Sequence, residues 1–499
     1  MFDLGTSFKA SVLRDPNTVA IVDGDTRLTY QQWYRKVSSI VASLDGFGLV
    51  NGDHILVVMQ NRWEYASLHW ACQFRGIIVT PLNWRAKTDE IDYAVTDAHA
   101  KAIFYEDATA EAVLSSVEAG KIPNICTNKL HEIMQASAPD AEPHADANDW
   151  SLMLYTSGTT SKPKGVPRRH RAERAGALAH VAQNLYRNGE ITLGVMPLYH
   201  TMGVRSLLAS SLTGGTFVCL PRFDAGKAID LIEQENITNL YLVPTLYHDV
   251  VHHPEFTPER VKSVTKLGYA GASMTDGLLK KLNETFAPDL FVNHYGSSEI
   301  YTFTIDQKAA LKPGSAGRSG INQMIQVAKL GANSPTDLAD TREEGEIIAS
   351  LKGDEAFEGY WNRPEADLKA LKDGWYFTGD TGFVDEDGDL FVTGRVDDMI
   401  ITGGENVSPV EVESFLSLHP NVDEVAVVGL PDERWGQLVT AFVKKNGEIT
   451  SEQLDQYCRG SNLANFRRPR QFIFVKNIPK SPVGKVLRRM LVAGDYTPE

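Results

Sequence analysis

Residues 151–165 read SLMLYTSGTTSKPKG. Five of the six residues from Thr156 to Ser161 carry a hydroxyl, and two lysines follow. Small donors gathered on one loop, with positive charge behind them, suit a phosphate. A P-loop would read G-x-x-x-x-G-K-[ST]. Here Pro163 stands where the second glycine belongs, and Gly165 follows Lys164 in place of Ser or Thr. The Walker arrangement is therefore not supported, and a phosphate site of another kind is left. Taken alone, the loop reads equally well as a solvated Ser/Thr turn.

Outward from this loop, strand and helix signals alternate. SLMLYT reads as a strand feeding it. Upstream, Thr29 and Gln32 stand at capping-box spacing before a helical segment. HILVVM reads as a buried strand, RWEYASLHWACQFRG as a helix stopped at Gly76, and IIVTPL as a further strand. Downstream, Leu178, Val181, Ala182 and Leu185 recur at i, i+3, i+4, i+7, as on the apolar face of one helix. Strand-like runs follow at TFVCL, NLYLVP, KLGYAG and LFVNHYG. This alternation predicts an α/β fold with a large N-terminal domain of parallel layers. Near residue 345 the pattern changes. GEIIASL and GWYFTGDTGFVDEDGDLFVTGR read as antiparallel strands of a small β-barrel-like part, with DEDGD as a hairpin turn. A boundary is expected at GRVDD, giving an N-terminal domain of residues 1–396 and a small α+β domain of residues 397–499.

Composition narrows the function classes. The chain has 499 residues, of which 42% are hydrophobic and 23% charged, so a sizeable globular core is available. A net charge of −15 argues against a nucleic-acid binder. The four cysteines, Cys72, Cys126, Cys219 and Cys458, form no metal-like pair and read as reduced. The N-terminal residues contain no long apolar run, no stretch approaches a membrane span, and DYTPE is no peroxisomal address. A cytoplasmic protein without membrane partners is expected, as a monomer or homodimer.

Seven motifs occur in order: YTSGTTSKPKG, PLYH, YAGASM, NHYGSSE, GWYFTGD, GRVDDMIITGGE and PKSPVGKVLRR. Together they resemble the acyl-adenylate-forming superfamily, which includes acyl- and aryl-CoA ligases, peptide-synthetase adenylation domains and luciferases. The resemblance spans essentially the whole chain. One departure is Ser161, where the family usually has glycine. The resemblance implies two steps. A carboxylic acid attacks the α-phosphorus of ATP, with Mg²⁺ as cofactor, giving acyl-AMP and pyrophosphate. A thiol, usually that of coenzyme A, then displaces AMP.

Residue roles follow from the same resemblance. Thr156, Ser157, Gly158, Thr159, Thr160 and Lys164 would hold the β- and γ-phosphates. Glu299 would be the Mg²⁺ carboxylate, with Ser298 beside the α-phosphate. Asp380 and Arg395 would hold the ribose, while Ala270, Gly271, Ala272, Asn293, His294, Tyr295 and Gly296 line the nucleotide slot. Lys485 would bridge carboxylate and α-phosphate during adenylation. Since it lies on the C-terminal domain, that domain would rotate about Asp397 between the two steps. His200 would gate the thiol channel, and Gly403, Gly404 and Glu405 would line it after rotation. Arg85, Trp435, Phe466, Arg468 and Arg470 would contact the CoA nucleotide. Lys162, Arg168, Arg169, Arg171 and Arg174 form a basic island, its arginines read as a solvated helix start or, alternatively, as minor phosphate-steering groups.

The resemblance to the aryl-CoA ligases of the family implies an acyl pocket of Ala179, His200, Thr201, Met202, Tyr241, Ala270, His294, Ile300 and Tyr301. This mixed set suits a small aromatic or heteroaromatic acid of the benzoate, chloro- or hydroxybenzoate or furoate type. The alternatives are an enzyme that loads a carrier-protein thiol, a short- or medium-chain fatty acid–CoA ligase, and an ATP-binding module without turnover.

Overall fold

The capping box at Thr29 forms: the Thr29 side chain accepts from the Gln32 amide, and the Gln32 side chain accepts from the Thr29 amide. It starts the helix Tyr30–Leu44, which buries Trp33, Val37, Ile40 and Leu44. Trp63–Arg75 follows as a helix and ends at Gly76. Phe8 fills the space between these helices, its ring 5.1 Å from Trp33 and 4.5 Å from Trp70. The computed structural model describes residues 1–156, 162–461, 463–481 and 486–499.

Among the described residues there are three sheets. The first has six strands, in the order Asn124–Cys126, Ala102–Tyr105, His54–Val58, Ile78–Pro81, Trp150–Thr156, Lys164–Arg169. All neighbours pair in parallel except the last two, which form the hairpin that carries the hydroxyl loop. The second sheet has 14 strands. Its centre is parallel: Val19–Asp23, Thr216–Cys219, Ile191–Gly194, Asn239–Leu242, Lys266–Tyr269 and Leu290–Tyr295 lie side by side. It continues as antiparallel strands through Thr304–Asp306, Ser315–Ser319, Leu390–Arg395, Trp375–Val384 and Gly345–Ser350. The expected turn at residues 385–389 joins Trp375–Val384 to Leu390–Arg395. The third sheet has five strands drawn from residues 400–474 and encloses its own core of Ile400, Val412, Val427, Val439 and Val443. A single turn, Val396–Asp398, links it to the 14-stranded sheet.

One expectation fails on contact with the fold. The helix His170–Gln183 is present, but Leu178 and Ala182 lie on its exposed face, and Leu185 falls beyond its end. The buried face carries His170, Glu173, Gly176, Ala177, His180 and Gln183. Polar groups take the interior positions because they find partners there, so apolar periodicity pointed outward. No helix among the described residues is long and apolar enough to cross a membrane.

Candidate functional site

Loops that follow parallel strands collect at the carboxyl edge of the sheet, where ligands of open α/β sheets bind. The loop after Leu290–Tyr295 is the central one here. Gly296 begins it, and any Cβ there would fall 2.1 Å from the Tyr301 carbonyl oxygen, so only glycine fits. The Ser297 amide donates to Ile300 O at 2.9 Å, and the Ser297 hydroxyl accepts from the Glu299 and Ile300 amides. This turn fixes Glu299, which is 6% exposed.

The Tyr360 hydroxyl donates to Glu299 Oε1 at 2.7 Å. The Lys164 ammonium sits over the same tyrosine ring, 3.9 Å from its centroid. Burial lowers the Lys164 pKa, and the Glu299 charge opposes that shift. Tyr360 therefore joins the base of the hydroxyl loop to the acidic turn. Thr156 pairs with Lys164 across the hairpin, and its hydroxyl donates to Lys164 O at 3.4 Å. Ser157, Gly158, Thr159, Thr160, Ser161 and Lys485 lie outside the described residues.

Asp380 and Arg395 stand opposite each other on neighbouring strands, with Arg395 Nη1 2.9 Å from Asp380 Oδ1. The Tyr295 hydroxyl donates to Asp380 Oδ2 at 2.6 Å. Burial and the adjacent carboxylate raise the Tyr295 phenol well above its usual range, so it stays a donor. Asn293 donates its amide to Ser315 O at 2.8 Å. Ala270, Gly271 and Ala272 follow the strand Lys266–Tyr269 at the same sheet edge.

His200 caps the helix Thr201–Leu212, its Nδ1 accepting from the Met202 amide at 3.4 Å. Thr201 Oγ1 lies 3.3 Å from Ser298 Oγ, which brings this helix start to the acidic turn. Met202, Tyr241 and Ala270 share one apolar core. The Tyr241 ring meets His294 edge-on at 5.0 Å, and His294 stacks on His180 at 5.2 Å.

Asn184 sets the tautomers of this histidine pair. Its amide nitrogen donates to His180 O at 2.8 Å, which fixes the amide's orientation. The same nitrogen lies 3.1 Å from His180 Nδ1, and Asn184 Oδ1 lies 3.0 Å from His294 Nε2. Burial pushes both imidazoles well below their usual pKa, so both are neutral. His180 Nδ1 is then an acceptor and Nε2 carries the proton; His294 Nε2 is a donor and Nδ1 an acceptor. His180 Nε2 and His294 Nδ1 are buried without a hydrogen-bond partner among the described residues. The sequence reading missed Asn184 and His180, since no motif marks them.

The remaining acyl residues are dispersed. Ile300 packs with Val166, Phe303 and Phe357. Tyr301 is buried, its hydroxyl donates to Glu173 at 3.0 Å, and Arg168 lies 4.0 Å over its ring. Ala179 borders a separate cavity of about 350 Å³ with Arg174, Ala182 and Ile321.

Arg168 corrects the reading of the basic island. It is 1% exposed, pairs with Glu173 at 2.8 Å, and donates to the carbonyls of Glu299 and Glu355 at 2.9 and 2.6 Å. Strand alternation explains this. Arg168 points inward and Arg169 outward to Glu358 at 2.6 Å. Arg168 therefore supports the backbone of the acidic turn. Tyr360 was missed because it lies 61 residues from Glu299 in sequence.

The expected CoA residues lie mostly on the part built on the five-stranded sheet. Gly403 and Gly404 have φ of +60° and +87°, and Gly403 lies against the half-exposed Trp435 ring. A Cβ at Gly404 would meet open space. Glu405 and Phe466 are exposed, Arg468 pairs with Asp455 at 3.3 Å, and Arg470 donates to Asn465 O at 2.9 Å. Arg85, on the other part, stacks on Trp84 with its guanidinium 3.9 Å from the ring centroid. Asp397 lies in the linking turn Val396–Asp398.

The AMP-binding enzyme family model matches residues 8–361, and the model of the AMP-binding enzyme C-terminal domain matches residues 411–485. Over 490 residues the chain is 34% identical to 4-chlorobenzoate–CoA ligase of Arthrobacter sp., covering 96% of this chain and 93% of that protein. It is 31% identical over 506 residues to long-chain-fatty-acid–CoA ligase FadD13 of Mycobacterium tuberculosis, covering 98% of each. Among solved structures, ATP-bound MatB from Rhodopseudomonas palustris superposes with a TM-score of 0.89 at 26% identity, covering 99% of each chain.

Proposed function

Since the chain belongs to the AMP-binding enzyme family and is an acid–thiol ligase of the acyl- and aryl-CoA type, we propose that its acid is small and aromatic or heteroaromatic. The observation that carries this reading is the histidine pair beside Tyr241. It presents one buried donor, His180 Nε2–H, and one buried acceptor, His294 Nδ1, neither with a partner among the described residues. Buried polar atoms of this kind demand hydrogen bonds. A ring acid carrying a hydroxyl, amino group or ring heteroatom would supply them, with the Tyr241 ring, which packs on both imidazoles, against one of its faces. The likeness to 4-chlorobenzoate–CoA ligase supports the same class.

In this reading the candidate residues divide the chemistry among them. Asp380 and Arg395 hold the ribose, and Ala270, Gly271, Ala272 and Asn293 line the adenine slot. Lys164 and the hydroxyl loop hold the β- and γ-phosphates while Lys485 neutralises charge at the α-phosphorus. The acid's oxygen attacks that phosphorus, the bond to the bridging oxygen breaks, and pyrophosphate leaves. Glu299, held by Tyr360, offers the single carboxylate that a phosphate-bound Mg²⁺ needs, and the ion would screen phosphate charge. Rotation about Asp397 then removes Lys485 and brings Gly403 and Gly404 to the thiol path. His200 moves aside, the CoA sulfur gives up its proton to solvent and attacks the acyl carbon, the bond from that carbon to the phosphate oxygen breaks, and AMP leaves.

A panel of acids assayed for AMP formation with CoA present tests the proposal. Hydroxy- and aminobenzoates and furoate are expected to exceed their apolar analogues by ~10-fold or more in kcat/KM, because the apolar acid leaves buried groups unpaired. Strongest turnover on octanoate or longer acids, with none on any aromatic acid, would overturn it. Acid-dependent AMP release only with a carrier protein, and none with free CoA, would favour carrier loading.

A further inference from the structure

We infer that His248, His252 and Asp423 form a site for a zinc-class divalent cation that joins the two parts of the chain in one of the two arrangements that the proposed rotation about Asp397 connects. His248 lies on the helix Pro244–Val251 and His252 caps its C-terminus, four residues on and on the same face. Asp423 belongs to the strand Val422–Asp432 of the five-stranded sheet. One ligand atom from each residue lies within 4.8 Å of the others.

Three further observations turn proximity into a site. The first is tautomer control. His252 Nδ1 donates to the His248 carbonyl at 2.8 Å, and His248 Nδ1 faces Asp249 Oδ1 at 3.4 Å. His252 thus has Nδ1 engaged and Nε2 left to ligate, whereas His248 has both nitrogens engaged, Nδ1 toward Asp249 and Nε2 with Asp423, so the ion would replace the proton between His248 Nε2 and Asp423. A second partner on the far nitrogen is how proteins orient metal-binding imidazoles. The second observation is spacing. His248 Nε2 and Asp423 Oδ1 are 2.9 Å apart. Two ligands ~2.0–2.1 Å from a tetrahedral zinc stand roughly 3.3 Å apart, so a small shift admits the ion between them. The third is room. The three side chains line a cavity of about 510 Å³ with His253, Lys444 and Asn446, which leaves space for a further ligand or water.

Two cations compete with the metal for Asp423: His248, whose pKa burial lowers but the Asp249 and Asp423 carboxylates raise on balance, and Lys444, 2.7 Å from Asp423 Oδ2. Lys444 also lies 3.3 Å from Glu424 Oε1, so it keeps a carboxylate when Asp423 turns one oxygen to the ion. Two imidazoles and one carboxylate suit zinc, cobalt or nickel better than magnesium or calcium. The site is therefore chemically distinct from the one proposed at Glu299.

The experiment titrates tag-free, EDTA-treated full-length protein with zinc chloride in the calorimeter, without nucleotide. One zinc per chain with a micromolar or tighter Kd is expected, together with a higher Tm. His252→Ala and Asp423→Asn should each weaken binding by ~10-fold or more. Cobalt added in place of zinc should give the visible absorption of a tetrahedral ion, and His252→Ala, a change at a helix end, should abolish it. No stoichiometric zinc binding, or zinc binding and a cobalt spectrum that both variants retain, would overturn the site.

Discussion

Lys485→Ala loses ~10²–10³ in the rate of adenylation while acyl transfer from supplied acyl-adenylate to CoA stays close to wild type. One positioned cation at developing charge is commonly worth that factor. The asymmetry matters more than its size. A lysine needed only at the α-phosphorus acts in one step, whereas a lysine holding the C-terminal part together would slow both. The measurement is single-turnover kinetics of each half-reaction, with pyrophosphate release for the first and thioester formation for the second. Equal losses in both steps would end the two-conformation reading.

Asp397→Pro separates the half-reactions by another route. Residue 397 lies in the turn Val396–Asp398, which joins the 14-stranded sheet to the five-stranded one. Proline fixes φ at about −65° and restricts the residue before it, so a pivot there can hold one arrangement only. One half-reaction is expected to fall by ~10²-fold or more, with the other near normal. A structural defect would lower both rates and the Tm together, so the Tm is measured alongside. Normal rates in both steps would place the pivot elsewhere.

The parts of the site that were legible in sequence are those fixed by backbone demands or by charged motifs. Gly296 must be glycine because the Tyr301 carbonyl crowds it, and so the turn around Glu299 carries a readable signature. Asp380 and Arg395 were singled out by the motifs they stand in, and the fold sets them opposite each other on adjacent strands. The helix His170–Gln183 shows where sequence reading fails. Hydrophobic periodicity counts apolar residues, yet this helix turns Glu173 and His180 inward. Glu173 is accommodated by Arg168, and His180 by Asn184 and His294. Arg168 and Asn184 lie within five residues of their partners and His294 comes from a distant strand, and apolar periodicity registers neither kind of pairing. Arg168 misled for the same reason: five basic residues in a short span read as solvated, while strand alternation turned one of them into the core. Tyr360 reaches Glu299 only through the tertiary fold.

Acid-dependent exchange of labelled pyrophosphate into ATP measures the adenylation of a polar aromatic acid apart from thioester formation. The wild-type protein is assayed without CoA, with 4-hydroxybenzoate and decanoate compared at equal concentration. Rapid exchange is expected with 4-hydroxybenzoate and, once CoA is added, AMP and aryl-CoA in equal amounts. Exchange driven by decanoate alone, or ADP in place of AMP as the nucleotide product, would contradict it.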